Sequence, residues 1–346
     1  YRVPFFEELG KRYDITVLYF TGNPGAVSFK TIRYQGPFYR FKFIRYTPGV
    51  RRIVKEYDCV IIMFDLWWLN LVALPFTLKG KHTRSILWGH GIGRTHGIEM
   101  ATVLRRYIAA KAHALIFYTK ETKEIFRIRT GVQENKCFVA NNTILVKNTL
   151  DGPLSLQNRN YFLYLGRVQQ RKQIPILLQA YALLSAEYKH KYQLYIVGDG
   201  DQPFISTLKA LAASLGLSDK VVFERGTYNE HHICRYYSKA VAYVSPGAVG
   251  LGVAQSFAYG VPVITTTNAG HGPEFAYCND ENSYFYADSG DTTDRIQQLN
   301  GVLVKAISDN TLWQRKAAAA QYTYEKECSM ENMLNGFAAA IAYAGR

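Results

Sequence analysis

Short apolar runs, rich in β-branched and aromatic residues, alternate with longer segments of helical periodicity along this chain. The apolar runs predict buried strands at Ile15–Phe20, Cys59–Phe64, Ser85–Trp88, Ala114–Tyr118, Tyr161–Leu165, Tyr192–Val197, Val221–Phe223, Ala240–Val244 and Val261–Thr265. The segments between them predict helices, among them Gln173–Leu184, Gln202–Leu215 and Asn229–Lys239. Because strands that alternate with helices build parallel sheets, the pattern predicts a doubly wound α/β fold.

The length of 346 residues predicts two domains, since one domain commonly has about 100–200 residues. The turn-rich segment Leu150–Asn160 is the best linker candidate, so we expect an N-terminal domain at residues 1–150 and a C-terminal domain at 151–328. Residues 329–346 carry a final helical pattern, which we expect to pack back on the N-terminal domain. The chain opens on a helical pattern with Pro4 in its first turn, whereas a doubly wound domain normally begins with a strand. We therefore expect a first strand and its loop to be missing from this numbering.

Charge is distributed unevenly over the chain, and this distribution is more informative about binding partners than the overall composition. The net charge is +14, and residues 1–150 hold 24 lysines and arginines against 10 aspartates and glutamates, while the remainder holds 17 of each. Such asymmetry predicts an anionic partner for the N-terminal half: a membrane surface, a polyphosphate lipid or nucleic acid. The sequence has no 18-residue apolar run, which argues against a spanning helix. The five cysteines are scattered without a CxxC pair, which argues against metal and disulfide frameworks and favours a reducing cytosol.

Two segments of the second half have the pattern of a phosphate site. The strand Tyr161–Leu165 ends at Gly166, and Arg167 and Lys172 follow, where two cations suit a diphosphate at the carboxyl ends of parallel strands. The strand Ala240–Val244 leads into a glycine-rich loop that opens a helix of about ten residues. Glycines allow the backbone to approach a ligand, and a helix N-terminus attracts anions. A plain strand–turn–helix connection remains the alternative interpretation of this second segment.

Four motifs follow one another in the second half: Gly-Arg-x4-Lys at 166–172, Val-Gly-Asp-Gly at 197–200, Val-x-Phe-x-x-Gly at 221–226, and Gly-Leu with Phe-Ala-x-Gly-x-Pro-Val at 250–263. Taken together, they resemble the motifs of family-4 (group 1) glycosyltransferases of the GT-B fold. In the first half, Ile-Leu-Trp-Gly-His-Gly at 86–91 and Val-Ala-Asn-Asn-Thr-Ile at 139–144 are similar to further family segments. The resemblance implies two Rossmann-like domains whose parallel sheets face each other across a cleft.

The resemblance also implies roles for individual residues. Arg167 and Lys172 match the cations that the family places on the donor diphosphate, and His90 matches a cleft histidine at the donor sugar or reacting centre. Donor contacts are implied for Gly166, Gly198, Gly226, Gly247, Gly250, Leu251 and Gln255. No cofactor and no metal are implied, with a nucleotide-diphosphate sugar as co-substrate, and we interpret Asp199 and Asp201 as turn-forming residues. His271 either lines the donor pocket or is structural, while His96, His113, His231 and His232 are interpreted as structural.

One departure from the family concerns its Glu-x7-Glu pair. Gly247 stands where the first glutamate belongs and Gln255 where the second belongs. The amide oxygen of Gln255 can still accept from ribose hydroxyls, although more weakly than a carboxylate. Glycine has no side chain to hold the sugar, so backbone N–H groups of Gly250 and Leu251 remain. The departure leaves the donor identity, and whether activity is reduced, as open questions.

Basic and aromatic residues are interleaved in Lys30–Arg52, and more basic residues follow on a later helical pattern. Three interpretations are open: a membrane or lipid-diphosphate interface, a stacking surface for single-stranded nucleic acid, or an amphipathic helix whose aromatic residues face the core. The resemblance favours the first, because the N-terminal domain of such enzymes takes the acceptor. The residues assigned to acceptor or membrane contact are Arg40, Lys42, Arg51, Arg52, Arg105 and Arg106.

The sequence therefore predicts a retaining, metal-independent glycosyltransferase that moves a sugar from a nucleotide diphosphate to a lipid-linked glycan. We expect a role in bacterial cell-surface polysaccharide or lipopolysaccharide synthesis. The predicted location is the cytoplasm, peripheral at the inner face of the cell membrane, without nucleic acid as partner. The alternatives are a nucleotide-sugar epimerase of the same fold and a catalytically inactive sugar-nucleotide-binding subunit. A nucleic-acid-binding protein is the third.

Overall fold

The computed structural model describes residues 2–78, 82–91, 99–148, 150, 154–288 and 290–346. His96 and residues 151–153 of the predicted linker lie outside these ranges. Among the described residues, no helix is both long and apolar enough to span a membrane.

Fourteen strands are formed by the described residues. In chain order they are β1 (Thr16–Tyr19), β2 (Lys30–Arg33), β3 (Tyr39–Phe41), β4 (Ile44–Tyr46), β5 (Cys59–Met63), β6 (Arg84–Gly89), β7 (Ala114–Phe117), β8 (Cys137–Val139), β9 (Tyr161–Leu165), β10 (Gln193–Val197), β11 (Val221–Glu224), β12 (Ala240–Ser245), β13 (Val263–Thr266) and β14 (Ser283–Tyr286).

The α-helices lie mainly between these strands. They are α1 (Val3–Gly10), α2 (Val50–Val54), α3 (Leu69–Val72), α4 (Leu74–Thr77), α5 (Glu99–Lys111), α6 (Lys120–Thr130), α7 (Ile174–Ala182), α8 (Ala186–Lys191), α9 (Gln202–Ser214), α10 (Glu230–Lys239), α11 (Gly252–Ala258), α12 (Thr292–Ser308), α13 (Asn310–Thr323) and α14 (Met330–Ala344). Side chains of Asp201, Asn229 and Asp309 accept from backbone N–H groups at the starts of α9, α10 and α13, which fixes where these helices begin.

The chain divides into two compact units, one of residues 1–144 with 330–346 and one of residues 145–329. The first unit has 24 basic and 11 acidic residues and the second has 17 and 16, so the excess positive charge lies in the first. The division falls at 144/145, six residues before the predicted boundary, and α14 belongs to the first unit.

The second unit contains a six-stranded parallel sheet in the order β11-β10-β9-β12-β13-β14. Alternate residues of β9 enter opposite cores: Phe162 and Tyr164 pack with α7 and α12, whereas Tyr161 and Leu163 pack with α10 and α11. Because both faces are covered, the strands consist of nearly continuous apolar residues, which is why the sequence pattern identified them.

The first unit has a four-stranded parallel sheet, β5-β6-β7-β8, and a separate parallel pair, β1-β2. One face of the larger sheet packs against α2 to α6. On the other face Phe337 of α14 lies between Phe5 of α1 and Trp88 of β6, with ring centroids 4.7 and 4.9 Å apart. Among the described residues, no strand joins β1 to β5, and the expectation of a missing first strand stays a prediction.

The sequence pattern missed five strands, β2, β3, β4, β8 and β14, all of three or four residues. The amphipathic-helix interpretation of Lys30–Arg52 is wrong. This segment forms β2, the hairpin β3–β4 and the start of the short helix α2, because its alternating aromatic and basic residues suit the two faces of a strand better than helical spacing.

Candidate functional site

The sheet order of the second unit determines where a ligand can bind. From β9 the chain crosses to β10 and β11 on one side, then returns to β12 on the other side of β9. The carboxyl ends of β9 and β12 therefore flank the point where the strand order reverses, the usual ligand crevice of an open parallel sheet. The loop after β9 carries Arg167 and Lys172, and the loop after β12 carries Gly247, Gly250 and Leu251. The fold brings the two predicted donor segments together.

Lys172 connects these two loops. Its side chain is buried, and its Nζ donates a hydrogen bond to the carbonyl of Ala248. Burial lowers its pKa to about 8, the positive charge of Arg171 acts in the same direction, and the negative charge of Glu274 opposes both. The ammonium group is therefore still mainly charged at neutral pH, but it is held in place and poorly hydrated. Such a cation is suited to an anionic ligand.

Two exposed arginines, Arg167 and Arg171, precede this lysine in the same loop. Arg167 directly follows Gly166, whose φ of 154° lies in the range that favours glycine. Arg171 donates from Nε to Oε1 of Gln169 at 3.0 Å. The sequence motif predicts Arg167 and Lys172 as cations of the site but not Arg171, which stands at an unspecified position of the motif. The loop after β9 thus presents three cations within six residues.

Backbone packing, rather than the loss of a side chain alone, explains glycine at position 247. A Cβ on Gly247 would collide with the carbonyl oxygen of Arg171 and would lie 2.9 Å from the carbonyl carbon of Lys172. The neighbouring Ala248 donates its N–H to the same Arg171 oxygen at 3.4 Å. The two loops therefore contact each other through their backbones, and no glutamate fits at position 247 without separating them.

His271 fixes the glycine-rich loop from the other side. Its Nδ1 accepts from the N–H of Val249 at 3.1 Å, and Nε2 lies 2.9 Å from the carbonyl of Thr266, to which it donates in this tautomer. The ring stacks on Phe275 with centroids 4.1 Å apart. Burial lowers the pKa of His271, and the nearby charge of Lys172 adds to the effect. His271 is therefore a neutral residue that holds the loop in place.

Glu274 is a residue of this site that the sequence analysis missed. It is 4% exposed, the most buried carboxylate among the described residues, and its charge raises the pKa of Lys172. Its Oε2 lies 4.0 Å from where a Cβ on Gly250 would be and would collide with a Cβ on Gly272. A buried carboxylate thus accompanies the buried lysine, and its position after Gly-x-Gly-Pro was the only signal in the sequence.

Three further predicted donor residues, Gly250, Leu251 and Gln255, are in α11 and the loop before it. Helix α11 has seven residues, shorter than the predicted ten, and Gln255 within it is buried. No described residue forms a hydrogen bond with the side-chain amide of Gln255, and none accepts from the N–H of Gly250 or Leu251. These donors and acceptors are available to a ligand.

Gly198 and Gly226 have a packing explanation. A Cβ on Gly198 would collide with the carbonyl of Gly166, and one on Gly226 would lie 2.8 Å from Oδ2 of Asp199. Asp199 accepts from the N–H of Gly226 at 3.3 Å, and Asp201 accepts from the N–H of Phe204 at 3.2 Å. The two aspartates are thus engaged in holding a turn and a helix start.

His90 lies in the first unit, directly after β6, at the carboxyl edge of that unit's sheet. Its ring meets the ring of Tyr118 edge-on with centroids 4.8 Å apart. The hydroxyl of Tyr118 accepts from Arg2 at 3.0 Å, and the Arg2 guanidinium lies 4.3 Å from the centroid of the Trp88 ring. Arg2 and Tyr118 are polar neighbours of His90 that the sequence analysis did not name.

The basic residues assigned to acceptor or membrane contact all lie in the first unit. Arg40 and Lys42 belong to the hairpin β3–β4, and Arg51 and Arg52 are exposed on α2. On α5, Arg106 is exposed, whereas Arg105 is half-buried and burial lowers its pKa, with Asp65 opposing the shift. Arg105 is therefore less accessible to a partner than the others.

The family model described as "Glycosyl transferases group 1" matches residues 147–318, which is most of the second unit. This match contains both loops of the candidate site. No curated protein sequence matches the chain significantly.

Solved structures share the fold of the whole chain at low sequence identity. HepE from Anabaena, in complex with UDP, is 14% identical over 98% of this chain and 95% of its own, with a TM-score of 0.72. A glycosyltransferase from Rickettsia africae is 17% identical over 99% and 92%, with a TM-score of 0.71. The lipopolysaccharide outer core galactosyltransferase WaaB is 19% identical over 85% and 78%, with a TM-score of 0.60. The predicted GT-B fold class is confirmed.

Proposed function

Because the chain belongs to the group 1 family of glycosyltransferases, we propose that it is a retaining enzyme that transfers a sugar from a nucleoside diphosphate to a lipid-linked glycan. The observation that carries the proposal is the junction of two loops at the carboxyl edge of the second unit's sheet. There a buried, charged Lys172 lies beside unused backbone N–H groups of a glycine-rich loop. A diphosphate is a ligand that this chemistry recognises.

Cleavage of the bond between the sugar C1 and the diphosphate places negative charge on the leaving oxygen. Lys172, Arg167 and Arg171 are the cations that would stabilise this charge, and the buried Lys172, already held in place, would need no reorganisation during the reaction. We propose a metal-independent reaction, since Asp199 and Asp201 are engaged in local hydrogen bonds instead of forming a ligand pair. The anomeric configuration of the product, followed by NMR, tests retention.

The donor that we propose is a UDP-sugar. HepE has been solved with UDP-glucose, and TarM from S. aureus with UDP, and both share the fold of this chain. In this chain Gln255 is the side chain available for the ribose hydroxyls, and Gly250 and Leu251 supply N–H groups. His90 of the first unit is proposed to act at the donor sugar or the reacting centre.

The acceptor that we propose is linked to a lipid diphosphate at an anionic membrane, in the synthesis of a bacterial surface polysaccharide. The unequal charge of the two units supports this proposal, because only the unit expected to take the acceptor has excess positive charge. The corresponding location is the cytoplasmic face of the membrane, with the protein bound peripherally.

Calorimetry with UDP, GDP, dTDP and ADP tests the donor site. We expect one nucleotide, UDP, to bind, and Lys172→Ala to weaken its binding at least tenfold, about 1.4 kcal/mol. Lys239→Ala is the matched control, because Lys239 directly precedes β12 and so lies at the opposite edge of the same sheet. Absence of nucleotide binding by folded protein would refute the proposal.

A second function is favoured by one observation, the exclusion of a glutamate from position 247. A sugar-nucleotide-binding subunit without catalytic activity would bind UDP and the UDP-sugar and would never turn the sugar over, even with its native acceptor. Single-turnover measurements with radiolabelled donor and membrane extract separate the two functions.

A further inference from the structure

The hairpin β3–β4 has an aromatic face and a basic face. Its register pairs Tyr39 with Tyr46, Arg40 with Arg45, and Phe41 with Ile44. Residues directly opposite each other in a hairpin share a face, and successive residues alternate between faces. Three aromatic rings and an isoleucine therefore share one face, and the two arginines share the other.

The three rings of the aromatic face are exposed to solvent, and Ile44 beside them is half-buried. Tyr39 is 58% exposed, Phe41 71% and Tyr46 44%. On the opposite face Arg40 is exposed, whereas the Arg45 guanidinium lies 5.6 Å from the centroid of the Trp68 ring and 3.5 Å from Asp65, so the Arg45 end of this face is turned toward the body of the unit. A two-stranded hairpin in water ordinarily buries its apolar face, because it has little other source of stability. In this hairpin the three rings are exposed instead.

The turn of the hairpin extends the aromatic surface. Phe43 is 59% exposed and packs against Trp67, itself 51% exposed, with ring centroids 4.9 Å apart. The N–H of Arg45 donates to the carbonyl of Trp67 at 2.7 Å, which joins the hairpin to this second segment. Lys42 occupies the left-handed region with φ of 52°, and it places one positive charge between Phe41 and Phe43.

The charge around this surface specifies its partner. Residues 15–55 contain eight lysines and arginines and no aspartate or glutamate, and Asp65, which lies beside the hairpin, is paired with Arg45. Exposed aromatic rings prefer the boundary between lipid headgroups and acyl chains, and basic side chains are attracted to anionic headgroups. The combination of both in one small hairpin is complementary to an anionic bilayer surface.

We propose that the hairpin β3–β4 (Tyr39–Tyr46) inserts its aromatic face into the headgroup region of an anionic membrane. The inference rests on the membrane contact in the proposed function and goes beyond it in two respects. It names the segment that binds, and it attributes the affinity to inserted rings as well as to charge. Phe41 and Phe43 supply most of the inserted apolar area, while Lys42, which lies between them in the turn, pairs with a lipid phosphate.

The test is co-sedimentation of the full chain with vesicles of phosphatidylcholine alone and of phosphatidylcholine mixed with phosphatidylglycerol. We expect binding to the mixed vesicles, and we expect Phe41→Ser with Phe43→Ser to reduce the partition coefficient by at least about tenfold per ring. The matched control is Tyr228→Ser, because Tyr228 is 97% exposed in the second unit. UDP binding and thermal unfolding of each variant verify that the fold is intact.

A spectroscopic readout identifies the inserted segment independently of affinity. Trp67 is the most exposed of the four tryptophans whose side chains are described, so its emission should shift to the blue on vesicle binding. Trp67→Phe should abolish the shift while leaving sedimentation nearly unchanged. A shift that persists in Trp67→Phe would mean that another segment inserts.

The possible failures can be told apart. If the parent protein binds mixed vesicles and the double serine variant binds them equally well, the insertion is refuted and the membrane contact stands. If the parent protein ignores vesicles, both are refuted, and UDP binding decides separately on the donor site. If the same substitutions instead abolish binding to single-stranded nucleic acid, or abolish a concentration-dependent dimer, the surface has that partner and the inference is overturned.

Discussion

The two units share an α/β architecture and differ in how their strands are joined into sheets, in charge and in exposed apolar surface. The second unit has one six-stranded parallel sheet covered on both faces, with nearly balanced charge. The first has its parallel strands in two separate groups, carries the excess positive charge and exposes an aromatic hairpin. Under the proposed function, the donor would be held by short loops at the edge of a sheet covered on both faces, whereas the acceptor would meet an exposed, positively charged surface.

The largest expected effect concerns the proposed donor site of the second unit. Lys172→Ala should lower turnover by about 10²–10³, because it removes a fixed cation from the leaving group, and it should also weaken UDP binding. His90→Ala, in the first unit, should lower turnover with little change in UDP affinity, because it is proposed to act at the sugar. Steady-state kinetics and calorimetry on both variants measure this. Equal losses of UDP affinity in the two variants would contradict the assignment.

The next effect concerns the contact between the two loops. Gly247→Glu restores the family residue, yet we expect it to destabilise the second unit by roughly 1–3 kcal/mol, because the added side chain overlaps the Arg171 carbonyl. Gly301→Ala is the control, since a Cβ there meets nothing within 4 Å and lies on α12, so stability should rise slightly. Chemical unfolding measures both. A Gly247→Glu protein with unchanged stability and higher activity would show that the loops separate easily.

The residues in these predictions differ in how far the sequence alone could identify them. The strands of the second unit and the cations Arg167 and Lys172 were predictable, because buried parallel strands are continuous apolar runs and the cations follow one of them directly. Glu274 was not, because it lies about a hundred residues from Lys172 and only the fold brings them together. The exclusion of a side chain at Gly247 depends on the Arg171 carbonyl, a backbone group that no residue pattern encodes. The hairpin β3–β4 was missed because its strands have three residues each.

A smaller effect comes from the titration of Lys172. With its pKa lowered to about 8, the free protein loses this charge as the pH rises through that value, so UDP affinity should fall by up to about tenfold per pH unit above it. Glu274→Gln removes the charge that raises this pKa, so the fall should begin at a lower pH. Calorimetry across the alkaline range follows both proteins, with Lys172→Met as the variant that should show no such fall. A Glu274→Gln midpoint equal to that of the parent protein would show that the charge of Glu274 does not raise the pKa of Lys172.

The smallest effect compares one histidine from each unit. His271 accepts from the N–H of Val249 and His113 accepts from the N–H of Ser85, and burial lowers the pKa of each below its ordinary value. The unfolded chain therefore binds more protons below about pH 6.5, so both histidines reduce stability as the pH falls through that region. Only His271 holds the glycine-rich loop, so its protonation should also weaken UDP binding a few-fold. His271→Gln, which retains an acceptor for Val249, should remove that part of the pH dependence, whereas His113→Gln should change acid stability alone. If the two substitutions altered the pH dependence of UDP binding equally, the glycine-rich loop would not depend on His271. The proposed difference between the two units in how a histidine affects UDP binding would then be wrong.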